Sequence, residues 1–68
     1  MVLGDELRKA RLGAGLTQEE LAFKADVSRN YISLLERGEK SPTVQLLLRQ
    51  CKALGVKAST IVSQIERN

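Results

Sequence analysis

Apolar residues recur at intervals of three and four along this chain, and strict alternation of apolar with polar residues is absent, so the pattern predicts helices and no strands. At about 100° per residue, Leu21, Ala22 and Ala25 share one narrow face, while Glu19, Glu20 and Lys24 point away. Tyr31, Ile32, Leu34 and Leu35 form an inward arc, and Val44, Leu47, Leu48, Cys51 and Leu54 form an apolar stripe further on. Ala58, Ile61, Val62 and Ile65 give the last segment a broad apolar face. Gly15, Gly38 and Gly55 each follow such a stretch, where a left-handed cap ends a helix. Five helices result, at 3–13, 17–25, 28–37, 43–54 and 58–67. Gly13 alone disturbs the first, at about 1 kcal/mol if internal.

The second helix has the clearest start. Thr17-Gln18-Glu19-Glu20 is a capping box, in which the Thr17 hydroxyl and the Glu20 carboxylate each satisfy a free backbone N–H. Leu16 and Leu21 flank it as a hydrophobic staple. Ser28 is a good N-cap for the third helix, with Val27 and Ile32 in the same flanking arrangement. Only Ala25-Asp26-Val27-Ser28 joins the two, and Asp26 sits where the chain must turn sharply. Asp tolerates the left-handed conformation better than most residues that carry a β-carbon.

Length and composition narrow the classes. The 68 residues suit one domain, expected to span 1–68, and 43% hydrophobic with 28% charged residues is ordinary for a globular chain. The longest strictly apolar run is Leu46–Leu48, far short of the roughly 20 residues of a membrane span. Gly4-Asp5-Glu6 interrupts any secretory hydrophobic region at the start. Zero histidines and the single Cys51 leave almost no nucleophile–base pair or zinc-ligand set, so neither an enzyme nor a cofactor is expected. One cysteine suits a reducing compartment, and a cytoplasmic location is expected. The net charge of +3 favours an anionic partner only mildly. Residues 1–42 carry seven Lys/Arg against seven Asp/Glu, so the excess lies in residues 43–68. Charge alone does not establish nucleic-acid binding.

The third helix carries the candidate chemistry. Opposite its apolar arc, Arg29, Asn30, Ser33 and Arg37 fall within about 100°. These are a guanidinium fork, a bidentate amide, a hydroxyl and a second cation, the groups that read base edges. A capped helix, a short turn and a second helix with a polar outer face make a helix-turn-helix at 17–37. The stretches Leu16-Thr-Gln-Glu-Glu-Leu-Ala22, Asp26-Val-Ser-Arg-Asn-Tyr-Ile-Ser33 and Leu35-Glu-Arg-Gly-Glu-Lys-Ser-Pro42 resemble the phage repressor and Cro-like family, also called the xenobiotic-response-element family. The likeness continues through Leu47, Ala53-Leu54-Gly55-Val56 and Ile61, over nearly the whole chain, and in size extends to restriction–modification controllers.

That resemblance implies a compact, all-α, five-helix domain of the lambda-repressor type that binds double-stranded DNA as a two-fold dimer. Helix 28–37 would lie in the major groove, with Arg29 forking onto guanine, Asn30 pairing with adenine and Ser33 making a less discriminating contact. Gln18 matches the family glutamine that touches backbone phosphate, and Thr17, Tyr31, Arg37 and Lys40 are further phosphate candidates. Arg11 and Glu36 match a family pair that bridges the first helix to the end of the recognition helix. Asp26 departs from the commoner turn glycine, and Lys57 stands where a capping Ser or Thr is frequent, so the fifth helix should start at Ala58 or Ser59.

Surplus apolar surface toward the end suggests a self-complementary dimer interface within 44–68, carried by Val62 and Ile65 with Leu46, which lies off the main stripe of its helix. The blander alternative folds the last helix onto the first, covering Leu3 and Leu7. Cys51 is read as a small core residue, and no small-molecule effector is evident. A rival function is a protein-interaction module, antitoxin-like, on the same fold. The presence of Gln18, Arg29, Asn30, Ser33 and Arg37 together favours DNA.

Overall fold

Three side-chain N-caps and four left-handed turns divide the chain. The computed structural model describes residues 2–67, so Met1 and Asn68 of the expected 1–68 unit lie outside it. Its helices are α1 (Val2–Gly13), α2 (Gln18–Ala25), α3 (Arg29–Glu36), α4 (Val44–Leu54) and α5 (Ala58–Arg67), with no strand among the described residues. Each boundary lies within a residue of the expected one. Thr17 Oγ1 accepts from Glu20 N at 3.0 Å while Thr17 N donates to Glu20 Oε1 at 2.9 Å, completing the capping box. Ser28 Oγ accepts from Tyr31 N at 3.0 Å, and Thr43 Oγ1 accepts from Leu46 N at 3.2 Å.

Helices α1 to α4 end alike. A residue in the left-handed or turn conformation is followed by one whose N–H reaches back to the last turn: Leu16 to Arg11, Val27 to Ala22, Glu39 to Leu34 and Val56 to Cys51, at 2.9–3.2 Å. Three of these turns use glycine, but the one joining α2 to α3 uses Asp26 at φ 58°, ψ 49°. Arg49 holds it there, donating from Nη2 to the Asp26 carbonyl at 2.8 Å.

α2 packs against α3 and α4, and α1 packs against α3 and α5. Leu21, Ala22, Ile32 and Leu54 form the centre, lined by Ala10, Leu16, Val27, Ala53 and Val56. The two alanines of α2 admit its neighbours closely, as their narrow face required. Leu7 and Ile61 are buried where α1 meets α5, so the alternative in which the last helix covers the first is realised at these residues. Cys51 and Leu54 are core, as read from the stripe. Val44 and Leu48 are not: they are 74% and 53% exposed. The inward face of α4 runs instead through Leu47, Gln50, Cys51 and Leu54, a turn of the helix that puts a glutamine inside and two aliphatic residues outside.

Gly4 explains how α1 reaches α3. It is buried, and a β-carbon there would overlap the backbone carbonyl oxygens of Leu35 and Glu36. Only glycine permits that approach.

Candidate nucleic-acid interface

The capped start of α3 fixes the first candidate groups. Ser28 ends the turn, so Arg29 and Asn30 occupy the first two helical positions, and both are exposed. Ser33 follows one turn on and is half-buried, which narrows its reach compared with its neighbours. Arg37 caps the C-terminus and is exposed. Its Nε lies 3.0 Å from Glu39 Oε2, with both side chains more than half exposed, so this pair is cheap to open toward another anion.

Two sets of side chains flank this arc on opposite sides. On a helical projection, Glu36 falls about 70° to one side of its centre and Tyr31 about 150° to the other. On the Tyr31 side, Lys40 Nζ stands 5.5 Å from the centre of the Tyr31 ring, a cation–π contact that draws the loop after α3 back onto the helix. Tyr31 is half-buried, and burial pushes its phenol up from its ordinary value, so it remains a neutral O–H donor. On the Glu36 side stands the N-terminus of α2, where Thr17 is exposed and Gln18 half-buried. The first N–H groups of α2 have no partner within the helix, and its dipole adds positive character there.

Arg11 and Glu36 meet in the structure. Arg11 Nε donates to Glu36 Oε2 at 2.7 Å and Nη2 donates to Oε1 at 3.0 Å, a bidentate pair with both side chains buried. Arg11 Nη1 also donates to the Leu16 carbonyl at 2.8 Å, tying down the turn before α2. Gln18 joins the same group, donating from Nε2 to Glu36 Oε1 at 3.1 Å. No local sequence signal encodes that last bond, because Gln18 and Glu36 are 18 positions apart on different helices.

The sequence profile of the family described as Helix-turn-helix matches residues 7–61. The chain belongs to the helix-turn-helix family. It is 43% identical over 61 residues to the transcriptional regulator ClgR of Mycobacterium tuberculosis, a match covering 90% of this chain and 54% of that protein. The chain thus spans about half the length of that relative. An immunity repressor of Bacillus phage phi105 is 36% identical over 64 residues, covering 94% of this chain and 44% of its own. Among solved structures, the clp gene regulator ClgR from Corynebacterium glutamicum superimposes with a TM-score of 0.92 at 38% identity, over 96% of this chain and 69% of that one. The restriction–modification controller C.Esp1396I superimposes at 0.87 with 32% identity, over 97% and 85%. The helix-turn-helix chain is therefore similar both to phage repressors and to controller proteins, and these relatives are regulators rather than enzymes. Among its described residues, no helix is long and apolar enough to cross a membrane.

Proposed function

We propose that this helix-turn-helix chain is a sequence-specific, double-stranded-DNA-binding transcriptional regulator that works in the cytoplasm. It acts as a homodimer on a pseudo-palindromic operator. The observation that carries the proposal is the exposed arc of α3, where a rigidly capped helix presents Arg29 and Asn30 in its first turn. In this reading α3 enters the major groove, Arg29, Asn30 and Ser33 meet base edges, and Thr17, Gln18, Tyr31, Arg37 and Lys40 meet phosphates on the two flanks. The controller C.Esp1396I has been crystallised with an arginine, a tyrosine two positions later and an arginine nine positions beyond that each replaced in turn. Arg29, Tyr31 and Lys40 stand at the same spacing here.

The chain carries a single α3, so a two-fold site with two equivalent half-sites takes two copies. Val62, 44% exposed, and the half-buried Ile65 one turn later give α5 an apolar outer edge for that contact, with Leu46 of α4 also half-buried.

Selection of binding sites from random duplex DNA tests the proposal. The wild type should enrich a two-fold motif that the Arg29→Ala, Asn30→Ala variant fails to enrich. Equal binding by both, governed only by salt, would reduce the interaction to generic phosphate attraction. No binding at low salt would favour the protein-interaction module.

A further inference from the structure

Glu36 is among the few charged side chains that this fold buries, and two other helices converge on it. Gly4 and Arg11 lie two turns apart on one face of α1: Gly4 lets the helix touch the Glu36 backbone, and Arg11 forks onto its carboxylate. That fork already satisfies the ion pair. The third donor, Gln18 Nε2, reaches Oε1 from the first position of α2, at the edge of the proposed interface. An ionised carboxylate only accepts hydrogen bonds, so the Gln18 amide must face it with its NH2 group and not its carbonyl.

We infer that Glu36 is a positioning residue for DNA contact, orienting the Gln18 amide so that one N–H is held by the protein and the other is aimed at a backbone phosphate. This rests on the function proposed above. Arg11 offsets the carboxylate charge, so a phosphate approaching Gln18 meets an ion pair rather than a bare anion. The contact that closes α1 onto the end of the recognition helix then also sets the clamp on α2, and with it the angle at which α3 lies in the groove.

Replacing single phosphates of the selected operator by neutral methylphosphonates tests this. The wild type should lose roughly two- to tenfold in affinity at the phosphate that meets Gln18. Gln18→Met should become insensitive at that phosphate alone. So should the paired variant Arg11→Met, Glu36→Met, which removes the acceptor without stranding a buried charge. Both should keep the losses at phosphates that depend on Lys40. A paired variant that retains the wild-type pattern, or weakens evenly at every phosphate, overturns the inference and leaves the proposed function standing. A Gln18→Met pattern identical to wild type means that Gln18 touches no phosphate, and the inference fails with it. Should the paired variant not fold, the wild type alone decides by NMR without DNA. The Gln18 side-chain amide should be ordered where that of exposed Gln45 is mobile, and equal mobility of the two overturns the inference.

Discussion

Arg11 and Glu36 are each 8% exposed, and neither charge is tolerable inside without the other. Glu36→Ala should therefore destabilise the chain by about 3–5 kcal/mol in urea unfolding, because it leaves the Arg11 guanidinium buried and uncompensated. A loss below about 1 kcal/mol, the range of an exposed pair, would contradict this account of the pair. Gln50 poses the opposite case. It is 1% exposed, and its Oε1 has no hydrogen-bond partner among the described residues. Gln50→Met keeps the shape and removes the orphaned acceptor, so it should stabilise by about 1 kcal/mol, read as a higher urea midpoint with unchanged slope. At Gly4 even a methyl group meets backbone carbonyls that cannot step aside, and Gly4→Ala should cost about 2 kcal/mol or more.

The start of α2 depends on a reciprocal cap, and that makes it sensitive to acid. The Thr17 backbone N–H, its hydroxyl and Lys24 hold the Glu20 carboxyl below its ordinary value of 4.5, the backbone bond contributing most. A carboxyl depressed by folding contributes stability that is fully present above its unfolded value and is lost as pH falls through the lower folded one. Stability of the wild type should thus decline more steeply below about pH 4.5 than that of Glu20→Gln, and parallel curves would remove Glu20 from the cap. Such ends were legible because they are local: Thr17 and Ser28 act within four residues of chain, and the sequence is enough to place them, whereas the Asp26 turn is also held by Arg49, 23 positions on. The polar arc of α3 was legible for the same reason, since periodicity alone sorts exposed Arg29 and Asn30 from buried Ile32 and Leu35. What escaped depends on how helices cross. The rotation of α4 that buries Gln50 and exposes Val44, the approach of α1 at Gly4 and the bond from Gln18 to Glu36 all join distant segments, and no local pattern encodes them.

On the scale of the whole chain, α1 lies between α3 and α5, so the apolar edge of α5 is on a different layer from the exposed polar arc of α3. Val62→Glu should then weaken the proposed self-association, seen in sedimentation as a shift toward the monomer, while the free chain keeps its helical content. Loss of fold instead would mean that Val62 serves the core. The most direct test of the central claim is competition between the selected operator and scrambled duplex of equal length at one fixed salt concentration, comparing wild type with Arg29→Ala. Base reading by α3 predicts that the variant loses about 1–3 kcal/mol of discrimination per half-site while its affinity for scrambled DNA changes far less. Equal losses on both duplexes would contradict it, and would make Arg29 a phosphate contact on a chain that reads no sequence through this helix.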